Sequence, residues 1–195
     1  MGKRKKDEQE LLQQLVQGNR LAMREFYDSN SRYFAAVCSR YVSNEEDVKD
    51  VLQESFLKIF RAIHTFEYRG AGSLRAWSAR IVVNEALKQI KENDRLQLIT
   101  LPSWDLPDQE EEQEPDFEDI PTSAIMEMIQ SLPTGYRTVF NLYVFEKKTH
   151  KEIASMLGIS ENTSASQFHR AKAQLVKEIE LYRLKAKHYE RSMAR

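Results

Sequence analysis

Residues Thr149 to Leu175 read THKEIASMLGISENTSASQFHRAKAQL. Thr149-His150-Lys151-Glu152 has the spacing of a capping box, in which threonine takes an orphan helix amide and glutamate returns the bond. Apolar Ile153, Ala154 and Leu157 then fall on one side of a short helix. Gly158-Ile159-Ser160 makes a turn, and a longer helix follows with Phe168, Ala171 and Leu175 inward. Gly158 supplies the backbone freedom of a sharp turn, and small Ala154 lets the two helices cross closely. This layout is a helix-turn-helix, whose second helix places its first turns in a DNA major groove. Two helices about a glycine arise often by chance. The ordered spacing E-I-A-x-x-L-G-I-S is much rarer, and it predicts DNA binding.

Working outward, apolar residues recur at three and four throughout, and no alternating strand pattern or internal repeat is found. Helices are predicted over 7–17, 20–41, 44–64 and from Ser73 to Arg95, then over 122–131, 134–146, 150–157 and 161–186. Asn19 is expected to cap the second helix, Ser43 the third through a capping box with Glu46, and Ser73 the fourth. The chain is therefore predicted to be all-α. It divides into two small helical domains joined by an acidic flexible linker, the second containing the helix-turn-helix. The boundaries are 1–96, a linker at 97–121, 122–187, and a basic tail at 188–195.

Composition narrows the class. The 195 residues are 41% hydrophobic and 30% charged, with 6 Gly and 5 Pro, which excludes collagen-like and low-complexity chains. A single Cys38 cannot form an internal disulfide, and beside Phe34 and Val37 it reads as a small buried residue. No run approaches the roughly 18 apolar residues of a membrane helix, and no apolar segment follows the basic start, so no membrane insertion is expected. A cytoplasmic location is expected. His64, His150, His169 and His188 show no ligand spacing, and no Walker loop, G-x-S-x-G or H-E-x-x-H occurs, so no metal and no cofactor are expected.

The net charge of −1 hides a partition. Residues 96–136 hold 10 acids and no Lys or Arg, whereas residues 137–195 hold 12 basic against 6 acidic. Two basic parts flank an acidic, proline-punctuated strip, densest from Asp105 to Asp119, which suggests a polyanion partner for both parts. The strip reads as a solvated tether, with a second reading as a mimic of nucleic acid that occupies a basic groove until displaced.

At this point the sequence resembles the extracytoplasmic-function (ECF) sigma factors of bacterial RNA polymerase. Glu152 to Ser160 and Arg170-Ala171-Lys172-Ala173-Gln174-Leu175 are similar to that family's promoter-distal motif. Glu46-Asp47-Val48-Lys49-Asp50-Val51-Leu52-Gln53-Glu54-Ser55-Phe56-Leu57-Lys58-Ile59-Phe60 resembles its D-x-x-Q-E-x-F-L-K-x-F helix. Ser73-Leu74-Arg75-Ala76-Trp77 and Arg80-Ile81-Val82-Val83-Asn84 resemble its W-L-x-x-I-A-x-N helix. The resemblance implies a transcription initiation factor, not an enzyme. It implies as partners core RNA polymerase, through the clamp coiled coil and flap, and promoter DNA, both duplex and melted non-template strand. It also implies an anti-sigma factor as a candidate antagonist.

Residue by residue, the resemblance implies polymerase docking by Asp47, Asp50, Gln53 and Glu54. The alternative for this face is a solvated surface with a Glu54–Lys58 pair. On the fourth helix Arg80, Asn84, Lys88, Lys91 and Arg95 share one side, which suits a phosphate track. Arg61, Arg69 and Arg75 are candidates to extend it. Phe66, Tyr68 and Trp77 are candidates to stack on a melted base, although each also suits a core. In the helix-turn-helix, Asn162, Thr163, Ser164, Ser166, Gln167, His169 and Arg170 are candidate base or backbone contacts, with Lys151 and Lys172 on phosphates. Many relatives carry cations where Ala165 and Gln167 stand. Weaker autonomous binding to the minus-thirty-five element is therefore expected, with another DNA-bound factor as the candidate recruiter. Two rivals stay open: a stand-alone helix-turn-helix regulator, and a nucleic-acid enzyme using the acidic strip.

Overall fold

A computed structural model describes the backbone over residues 8–93 and 114–193, and side chains over 8–92 and 114–186. Most of the predicted tether, Arg95 and the side chains of the basic tail lie outside these residues. Every element described is helical, as the sequence predicts. The chain divides into two compact units, Met1–Ile90 and Lys91–Arg195. Among the described residues, no helix is long and apolar enough to cross a membrane.

The first unit holds α1 (Glu8–Val16), α2 (Arg20–Ser39), α3 (Glu45–Ala62), a 3-10 turn (Ile63–Thr65) and α4 (Ser73–Asn93), which runs past the boundary between the units. Asn19 caps α2 as expected, its side chain accepting from the amides of Leu21 and Ala22. The cap of α3 is Asn44, one residue after the expected Ser43, and it accepts from the amides of Glu46 and Asp47. Both residue types can cap, and here asparagine holds the extended backbone that the capping position requires. Phe26, Phe34 and Phe56 are buried together, with ring centroids 5.6–6.3 Å apart in tilted and edge-on pairs. Cys38 is fully buried, and burial pushes its thiol up to about 12. It is a packing residue.

The second unit holds α5 (Thr122–Ser131), α6 (Thr134–Val144), α7 (His150–Leu157) and α8 (Glu161–Met193). The capping box at Thr149 is present in full. Lys148 and the Thr149 backbone and hydroxyl hold the Glu152 carboxyl down at about 2, so the box keeps its charge into the acid range. Gly158 closes α7 at φ 73°, in the left-handed region where a side chain is strained. Met128, Ile129, Leu132 and Phe140 pack against Ala171, Leu175 and Ile179 of α8, so α8 is both the second helix of the motif and the spine of its unit. It continues through Met193, beyond the predicted end at residue 186.

Candidate nucleic-acid interface

The first unit presents two chemically distinct faces. On α3, Asp50 and Gln53 are exposed, and Asp47 and Glu54 are half-buried on the same side. The predicted Glu54–Lys58 pair is long, at 3.9 Å. Lys58 instead reaches Glu85 of α4 at 2.7 Å, a carboxylate whose side chain is only 11% exposed. That buried partner draws the lysine across the helix pair, and the α3 face keeps an acidic character.

On α4, Arg80, Asn84 and Lys88 are exposed at successive spacings of four, forming one strip, with half-buried Lys91 following. Arg61, at the end of α3, and Asn84 line one open groove of about 520 Å³, together with Thr65 and the Lys58–Glu85 pair. Phe66 and Trp77 are both half-buried and face each other with centroids 5.3 Å apart, and Tyr68 beside them is also half-buried. Arg69 is exposed and makes a loose pair with Glu67 at 3.3 Å.

Arg75 is exposed and also makes contacts within the first unit. Its Nε donates to Asn30 Oδ1 at 2.9 Å and its guanidinium lies 5.5 Å from the Tyr33 ring centre. Asn30 is buried and spends its amide on the Phe26 carbonyl at 2.8 Å, so Arg75 ties α4 to α2 while its side chain stays at the surface.

Three predicted contacts are corrected in the helix-turn-helix. Ser164 is fully buried and bonds His150 Nδ1 at 3.0 Å. Gln167 is buried against Gly135 so closely that a Cβ there would lie 3.2 Å from its side chain. Lys172 is buried too, its Nζ 2.7 Å from Glu114 Oε1 and 5.4 Å from the Phe168 ring centre. All three lie on the inward side of α8, in register with Phe168, Ala171 and Leu175. Thr163 and Ser166 are half-buried, and their hydroxyls bond locally, to Ser160 Oγ at 2.8 Å and to the Thr163 carbonyl at 3.0 Å.

The outward strip of α8 is therefore Asn162, Ala165, Ser166, His169 and Ala173, with half-buried Arg170 near the Tyr136 hydroxyl and exposed Lys151 at the start of α7. His150 was not singled out by the sequence. It stacks on Tyr143 with centroids 4.8 Å apart while holding Ser164, and so braces α7 against α6 and α8.

The end of the acidic strip is also less free than expected. Besides Glu114, Asp116 meets Arg183 at 2.9 Å, and the same guanidinium donates to the Asp116 and Glu118 carbonyls at 3.3 and 3.1 Å. The Glu118 amide and then Arg183 hold the Asp116 carboxyl below its usual range. Phe117 and Ile120 pack into the core around α8. From residue 114 onward the predicted tether is docked on its own unit, because α8 offers cations and apolar surface to which a composition argument is blind.

Comparison with known proteins places both units. Residues 26–96 match the model for sigma-70 region 2, and residues 122–175 match that for sigma-70, region 4. The chain is 28% identical over 139 residues to an ECF RNA polymerase sigma factor, SigE, of Mycolicibacterium smegmatis, covering 70% of this chain and 53%, about half, of that relative. It is 26% identical to an ECF RNA polymerase sigma-E factor of Haemophilus influenzae, covering 89% of this chain and 95% of the relative. Bacillus subtilis RNA polymerase sigma factor SigV is also 26% identical, over 74% of this chain and 86% of its own length. A solved structure of CnrH in complex with the cytosolic domain of CnrY aligns with a TM-score of 0.45 at 24% identity, over 88% of this chain and 96% of that one. With both sigma-70 regions present in order and such relatives along most of its length, the chain belongs to the sigma-70 family of RNA polymerase sigma factors, in its ECF group.

Proposed function

We propose that this chain lends promoter recognition and strand opening to core RNA polymerase. The acidic α3 face (Asp47, Asp50, Gln53, Glu54) docks on a basic coiled coil of the enzyme. The strip Arg80–Asn84–Lys88, with Arg61 and the loop carrying Phe66 and Arg69, receives the minus-ten element as it opens. The helix-turn-helix reads the minus-thirty-five element through Lys151, Asn162, Ser166, His169 and Arg170. The observation that carries this reading is the pairing in one small unit of an acidic face on α3 with a cationic, amide-bearing strip on α4. A plain repressor needs only the second unit. The chain performs no chemistry of its own, which stays with the polymerase.

The most exposed strip of the reading helix, Asn162, Ala165 and Ala173, bears no Lys or Arg. Phosphate neutralisation supplies most duplex affinity, so this helix alone binds weakly. That supports recruitment by a second DNA-bound factor. An anti-sigma partner would cover the same faces.

Footprinting of a promoter selected from genomic DNA tests the reading. Protection at two separated elements is expected only when core polymerase is present. Equal protection by the chain alone, at a single element, would identify a stand-alone regulator instead.

A further inference from the structure

The loop between the 3-10 turn and α4 carries Phe66 and Arg69, and local bonds close its end only in part, the Ser73 amide donating to the Gly70 carbonyl at 3.1 Å. Gly70 and Gly72 take positive φ angles of 112° and 85°, so the backbone turns sharply there. Ser73, expected to cap α4, lies inside the helix and instead accepts from the Arg69 amide at 3.2 Å. The amides that a cap would satisfy go elsewhere. Gly72 N–H donates to Glu8 Oε2, and Leu74 N–H donates to Glu8 Oε1 at 2.8 Å. Glu8 stands 64 and 66 residues earlier in the chain, at the first position of α1. Its helix is anchored by Leu15, which is 1% exposed, and packs against α2 and the 3-10 turn.

A carboxylate at a helix N-terminus meets both orphan donors and the positive end of the helix dipole. Here it does so from a separate helix, which lies outside residues 26–96 of the region 2 match. We infer that Glu8 is a positioning residue for strand capture: it fixes the start of α4, and with it the loop bearing Phe66 and Arg69, in the shape that receives the opened strand. This rests on the reading that the loop and α4 hold that strand. The two glycines give the loop many alternative shapes when the carboxylate is absent. Glu8 touches no DNA in this account and acts through the loop backbone.

The test compares wild type, Glu8→Gln and Glu8→Ala in the full chain bound to core polymerase. The probe is single-stranded DNA selected by the wild-type complex from a randomised pool. Loss of the cap in Glu8→Ala is expected to weaken single-strand binding about tenfold, with Glu8→Gln, which keeps one acceptor, in between. Amide hydrogen exchange at Gly72 and Leu74 should quicken in the same order. Retention by core polymerase and binding of the second unit to duplex DNA should not change.

Equal strand binding by Glu8→Ala, with faster exchange at the two amides, would overturn the inference while leaving the strand-binding reading intact. Parallel loss of polymerase retention and of thermal stability would overturn it in favour of a purely structural role. Failure of the wild-type complex to select any strand would defeat the underlying reading and the inference with it.

Discussion

Phe56→Ala is expected to destabilise the first unit by about 3–5 kcal/mol, the usual cost of removing a buried aromatic ring. Phe56 is only 4% exposed, and four rings surround it: Tyr27 at 4.6 Å, Phe34 at 5.6 Å, Phe60 at 6.0 Å and Phe26 at 6.3 Å between centroids. Those partners come from both α2 and α3, so the hole cannot close by moving one side chain. Domains of this kind have roughly 5–15 kcal/mol in total, so the variant would stand near its unfolding threshold. Denaturant titration in a Trp104→Phe background, which leaves Trp77 as reporter, measures this directly. The second unit should melt unchanged. A loss below about 1 kcal/mol would mean that the ring cluster does not carry the first unit's core.

The second large effect concerns the α4 strip. Arg80→Glu with Lys88→Glu is expected to weaken capture of opened promoter DNA on the order of a hundredfold, since two charge-assisted contacts are removed. The more specific signature is ionic. Each lost phosphate contact on a single strand should flatten the dependence of log affinity on log salt by about 0.7. Both side chains are exposed on one face, so folding should be little affected. An unchanged salt slope, whatever the affinity, would show that this strip is not where the strand lies.

What the sequence made legible follows from how local each signal is. The helix-turn-helix rests on a capping box, a left-handed glycine and a three-four apolar repeat, all within the segment itself, and each is found where expected. Cys38, set beside Phe34 and Val37, was readable for the same reason. Ser164, Gln167 and Lys172 were misassigned because the binary pattern treats a polar side chain as outward. Here Ser164 meets His150 and Lys172 meets Glu114, while Gln167 fills the space that Gly135 leaves without a side chain. Glu8 was missed because its partners are distant in the chain. An acidic residue opening a helix offers no sign that it will cap a different one. The Arg75–Asn30 bond was out of reach for the same reason, since the buried Asn30 belongs to α2.

If α3 delivers this chain to RNA polymerase, immobilised bacterial core enzyme should retain it through that face. Wild type and Asp50→Arg/Glu54→Arg would be compared after confirming equal melting temperatures. Wild type should be retained and the double reversal lost. Equal retention of both would contradict the docking face. Absence of retention for wild type on its matching core enzyme, with no inhibitor present, would contradict the polymerase account itself and leave a stand-alone DNA-binding regulator.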